Sequence, residues 1–119
     1  MSIVDVADKI QKKIDELDNL RGLLEESGYQ KSVTKAQHER ELAKIVIQLK
    51  NGVPFKHDDN EVKDPPTTLI LNIAKGICWQ TSLEADKAEA HYKNVLVQIE
   101  VVSSQLNAFQ SINRYLDKI

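Results

Sequence analysis

Cysteine occurs once in the 119 residues, at position 78. No internal disulfide can form, and a reducing compartment, the cytoplasm, is the expected location. Proline is confined to positions 54, 65 and 66, and glycine to 22, 28, 52 and 76. Punctuation this sparse argues against a sheet protein, which needs a turn signal roughly every ten residues. Aromatic residues make up only 5%, so a core would be mainly aliphatic. No apolar run reaches the ~18 residues that a membrane-spanning helix requires. Met1–Asp5 also lacks the basic stretch and apolar segment of a signal peptide.

An excess of charge of one sign is missing too. Residues 1–50 carry nine Lys/Arg and nine Asp/Glu, and residues 65–119 carry five of each. The net charge of −2 therefore comes entirely from residues 51–64, which hold two lysines and four acids. A nucleic-acid binder usually shows a basic patch, because neutralising phosphates supplies much of its affinity. A nucleic-acid mimic would need a heavily acidic surface. Both readings lose weight.

What is present is periodicity. Val95, Val102, Phe109 and Leu116 lie seven apart, with Ile99 and Leu106 between them. This is the seam of a long helix packed along another. It extends back in the same phase through Tyr92, Ala88, Ala85, Thr81, Cys78, Ala74 and Leu71. Near the start, Ile3, Ile10, Leu17 and Leu24 are also seven apart, with Ala7 and Ile14 in the offset positions. Ser2 can cap this first helix, and Asp5 suits its first turn.

Past Gly28 the apolar stripe resumes in another phase, at Tyr29, Val33, Ala36, Ala43 and Ile47, broadened by Leu42, Ile45, Val46 and Leu49. A change of phase calls for a kink or short break, and Ser27-Gly28 resembles a helix C-terminus. Asn51-Gly52 reads as the next stop, with Pro54 blocking continuation. Residues 51–65 form an acidic, proline-containing loop, and Asp64-Pro65 reads as the cap and first position of the last helix. At 1.5 Å per residue that helix would be roughly 80 Å long. Gly76 inside it should cause no break, because the seam keeps its phase.

The expected fold is therefore all-α, one helical domain over 1–119. It is an elongated antiparallel hairpin or coiled coil with helices at about 3–26, 30–50 and 66–118, kinked near Gly28. Folding at the loop would place residue 28 opposite about residue 88. The small seam residues at 74–88 would leave a gap there for Tyr29 or Leu24 to fill.

Chemistry is harder to find. His57-Asp58-Asp59-Asn60-Glu61 is the one dense set of metal-ligand types, but His38 and His91 lie elsewhere and no calcium-loop glycine pattern is present. A solvated acidic loop is the expectation, with no metal and no cofactor. His91 beside Tyr92 is a lone titratable group on a helix surface. Cys78 before Trp79 lacks a partner pattern for a nucleophile. No catalytic residues are assigned.

The end of the last helix is more informative. From Val101 to Asn113 no residue is charged. A second stripe, Val97, Val101, Ala108, Ile112, Tyr115 and Ile119, runs beside the seam residues Ala85, Ala88, Tyr92, Val95, Ile99, Val102, Leu106, Phe109 and Leu116. A helix apolar on two sides normally has two neighbours. The second stripe is thus expected to meet another copy, giving a homodimer or higher homo-oligomer, or a foreign protein.

Ala88-Glu89-Ala90-His91-Tyr92-Lys93 and Gln105-Leu106-Asn107-Ala108-Phe109-Gln110-Ser111-Ile112-Asn113-Arg114 resemble the carboxyl half of small helical-hairpin proteins of tailed bacteriophages and prophages. Lys35-Ala36 through Arg40 to Ala43-Lys44 is similar to a helix in their first half. The likeness covers about half the chain, which departs from it in the glycine-interrupted first half and the long proline-containing loop. It implies an early-expressed accessory protein in the bacterial cytoplasm without established chemistry, sometimes found with recombination or replication genes. The expected function is non-enzymatic protein–protein interaction of an accessory or inhibitory kind. An alternative is a nucleic-acid-handling helper using Lys9, Lys12, Lys13, Lys31, Lys35 and Lys44, and a third is a small metal-dependent hydrolase using the His57 loop.

Overall fold

Ser2 starts the first helix. Its hydroxyl accepts from the Asp5 amide at 3.2 Å and donates to Asp5 Oδ2 at 2.9 Å, a reciprocal cap that satisfies otherwise unpaired groups of the first turn. From there helix α1 runs Ile3–Lys50 in a computed structural model that describes residues 2–57 and 59–118. Strands β1 (Phe55–His57) and β2 (Asn60–Val62), a 3₁₀ turn (Thr67–Leu69), α2 (Ile70–Ile77) and α3 (Trp79–Asp117) follow. The architecture is all-α with antiparallel helical pairing, as the sequence predicts. Among the described residues no helix is long and apolar enough to cross a membrane.

The chain forms two compact units, Met1–Tyr29 with Glu89–Ile119, and Gln30–Ala88. In unit 1 the antiparallel register is shown by Lys9 Nζ, 5.6 Å from the Phe109 ring centre. Tyr92 likewise lies against Gly28. Val6, Val95 and Val102 are buried there, as is Ser27. In unit 2 the core is Ile45, Leu49, Ile70, Ala74 and Cys78. Phe55 and Val62, directly opposite in the β1–β2 hairpin, pack against it with Leu42, Val46, Ile73 and Ile77.

The break expected near Gly28 is absent, and the two helices expected at 3–26 and 30–50 are one. The phase change was an artefact of following apolar residues. Of the expected stripe Val33 is half-buried but Tyr29, Ala36, Ala43 and Ile47 lie exposed, whereas Ser27, Lys31, Thr34, His38 and Glu41 are buried or half-buried at the three–four spacing that continues from Leu24. The hydroxyls among them are satisfied locally: Ser27 donates to the Leu24 carbonyl at 3.1 Å, and Thr34 to Gln30 at 2.8 Å. That removes most of the penalty for placing them on a seam. In the first turns Ala7 and Ile14 point outward, while Val6, Lys13 and Leu20 take the inward offset positions.

Gly28 lies under the Tyr92 ring: a Cβ there would stand 3.4 Å from Tyr92 Cε2, an ordinary van der Waals contact. The partner of residue 28 is therefore residue 92, not residue 88. Tyr29, expected to fill a gap, lies in solvent.

α1 does end where Asn51-Gly52 predicts. Val53 N–H donates to Gln48 and Gly52 N–H to Leu49, and Gly52 has φ +74°. These two bonds make a Schellman cap, whose left-handed position glycine occupies without strain. The start of the last helix differs from expectation. Asp64 adopts φ 48°, the cap position of the 3₁₀ turn is Pro66, in an extended conformation, and α2 begins at Ile70. The first inward residue is Ile70, while Leu71 is half exposed. The loop is also more ordered than expected, since β1 and β2 lie within it.

The helix expected over 66–118 is divided at Cys78, not continuous. Cys78 has φ −86° and ψ 19°; its N–H still donates to Ala74, and its carbonyl accepts from Ser82. The seam keeps its phase across this one-residue interruption, with Ala74, Cys78, Thr81 and Ala85 all buried or half-buried.

Candidate interaction surface

In unit 1 only the inward rows of α1 and α3 can cover each other, because a helix pair buries one seam and leaves its flanks open. On α3 that seam is Tyr92, Val95, Ile99, Val102, Leu106, Phe109 and Leu116, all buried or half-buried; in unit 2 Ala85 and Ala88 are half-buried. The second stripe is left uncovered. Val97 is 55% exposed, Val101 50% and Tyr115 67%, and Ala108 and Ile112 are exposed as well. Ile119 lies outside the described residues.

One end of this stripe borders a groove of about 370 Å³. Val97, Gln98, Val101 and Val102 form its α3 wall; Glu16, Asn19 and Leu20 of α1 form the other. The α1 wall escaped the sequence reading. Its signal was Leu20, three residues after Leu17 and four before Leu24, which continues the seam better than Ile14. Along α3 the middle of the stripe, Val101, Ala108 and Ile112, lies in the uncharged segment, whereas Val97 and Tyr115 lie just beyond Glu100 and Arg114.

The other candidate residues do not converge. His91 is exposed on α3. Cys78 is buried at the helix break, where burial first and the Glu41 carboxylate second hold its thiol above the ordinary range. That is the opposite of an activated nucleophile. His38 Nδ1 lies 3.0 Å from Thr81 Oγ1, within the half-buried seam. Asp58 of the acidic loop lies outside the described residues, and among those described no group of three His, Cys, Asp or Glu side chains could hold a metal. Lys9 and Lys12 share their surface with Asp5 and Asp8. No family model, curated protein or solved structure matches the chain.

Proposed function

We propose that this chain acts by binding, not catalysis, and that the uncharged face of α3 in unit 1 is where another helical polypeptide docks. The exposed row Val97, Val101, Ala108, Ile112 and Tyr115 carries the reading. Five apolar or small side chains in line on one helix are costly to leave in water, and an apolar helix face laid against a groove is a recurring mode of recognition. The groove beside Leu20 supplies the second wall that such a helix needs.

Nucleic acid fits this surface poorly. The lysines nearest the start of α1 alternate with acids, so phosphate attraction would be offset at each step. An accessory or inhibitory role of phage type extends the same reading, and it rests on the likeness carried by residues 88–93 and 105–114. Several of those residues, Tyr92, Leu106 and Phe109 among them, also serve the seam.

The test is a paired substitution, Ala108→Glu with Ile112→Glu, at exposed positions that the helix pair does not need. Helical circular dichroism should be unchanged, while every polypeptide retained by the unmodified chain in affinity capture should be lost. Retention of the same polypeptides by the double variant would refute the proposal.

A further inference from the structure

We infer that the occupant of this face is a second copy of the chain, its α3 laid antiparallel to the first across a two-fold axis near Leu106. The inference rests on the docking reading above and adds the identity and direction of the partner.

The first support is the order of side chains along the stripe. Val97 and Val101 stand at one end, Ile112 and Tyr115 at the other, with Ser104 and Ala108 between them, all exposed. A two-fold axis near Leu106 sets the partner's Tyr115 over Val97 and the partner's Ile112 beside Val101. The small pair Ser104 and Ala108 meets its own copy at the crossing point. Small residues there let the helix axes approach, and large ones at the ends fill the widening gap. A surface complementary to itself in this way suits an isologous dimer.

The second support is charge. The uncharged segment is bounded by Glu100 on one side and Arg114 on the other, both exposed. Antiparallel pairing brings Glu100 of one copy toward Arg114 of the other at both ends. Parallel pairing would oppose like charges. Flanking charges of this kind set direction and partner choice in helical assemblies. Between them α3 carries no charge, and the charged side chain on the groove's α1 wall is Glu16.

Two helix pairs joined through α3 would make a four-helix arrangement with a shared core.

Sedimentation equilibrium of the full chain at micromolar concentration and low salt should give twice the monomer mass. Ala108→Glu should return it to the monomer with helicity intact. Glu100→Arg alone should weaken the dimer roughly tenfold, since two attractive contacts become repulsive. Glu100→Arg combined with Arg114→Glu should restore it. Failure of the exchange to restore a dimer weakened by Glu100→Arg would overturn the antiparallel assignment. A monomeric unmodified chain would overturn the inference; the docking reading would still stand if that chain captured a foreign polypeptide that Ala108→Glu lost. A dimer indifferent to Ala108→Glu would place self-association on another surface and overturn the inference, leaving the docking reading to the capture test.

Discussion

His38 Nδ1 lies 3.0 Å from Thr81 Oγ1, and the same hydroxyl lies 3.1 Å from the Cys78 carbonyl oxygen. A hydroxyl has one proton to give. Donated to Cys78 at the break between α2 and α3, it leaves an oxygen lone pair that accepts from His38 Nδ1–H. One side chain thus joins the polar part of the α1 seam to the interruption in the opposite helix.

Thr81→Val keeps the shape and removes both bonds. Each such bond is worth about 1 kcal/mol net, and His38 would be left half-buried without its partner. A loss of about 1–3 kcal/mol in urea unfolding is expected. Thr81→Ser should recover most of it.

The glycines should respond with opposite signs. A Cβ at Gly22 meets nothing within 4 Å, so Gly22→Ala should stabilise α1 by about 1 kcal/mol through helix propensity. Gly52 has φ +74° and lies 3.2 Å from Asp64 Oδ1 at the position a Cβ would take. Gly52→Ala should cost about 1–2 kcal/mol or more. Thermal unfolding of both variants checks the pair.

Two isoleucines one turn-half apart test the inward phase of α1. Ile45 is 5% exposed and Ile47 59%. Ile45→Ala should cost about 2–5 kcal/mol by losing burial and opening a cavity. Ile47→Ala should stay within about 0.5 kcal/mol. Equal losses would place the seam elsewhere.

Two groups link stability to pH, with opposite signs. Asp5 is held below its ordinary value of 3.8, chiefly by the Ser2 hydroxyl and then by the Ser2 amide. Between the folded and unfolded values the unfolded chain binds more protons, so this contribution is present above 3.8 and is lost as pH falls through the folded value. Hydrogen exchange at the start of α1 should quicken there, and Ser2→Ala should weaken the dependence while leaving the part due to the residue-2 amide. Cys78 is held above 9.0, first by burial and then by Glu41. Above that pH the unfolded thiol ionises first, so stability falls as pH rises. Cys78→Ala should flatten the alkaline limb, and thiol labelling should be slow until urea unfolds the chain.

The readable parts of the fold are those where hydropathy and burial agree. From Val95 to Leu116 the seam is apolar apart from Asn113, with half-buried Ser103 and Gln110 beside it, and only a helical partner explains that spacing. Asn51-Gly52 was equally plain, because glycine there meets a need for positive φ that other residues satisfy at a cost. The second stripe on α3 stood out because it lacks charge. Its other wall did not: Leu20 is a seam residue that also edges a groove, and no pattern in one helix reveals what the neighbouring helix leaves open.

Sequence alone therefore determined the helical class, the α3 seam, the end of α1 and the row of outward apolar residues. Each follows from local propensity or from a periodicity that only burial can explain. Tertiary structure decided the rest. It chose which of two competing stripes on α1 turns inward, because Ser27 and Thr34 satisfy themselves within the helix and Tyr92 packs against Gly28. It kept α1 continuous through Gly28 and divided the last helix at Cys78, where Thr81 bonds the carbonyl of the interrupted turn. Polar seam residues have no hydropathic signature, so their phase exists only once a partner helix is in place.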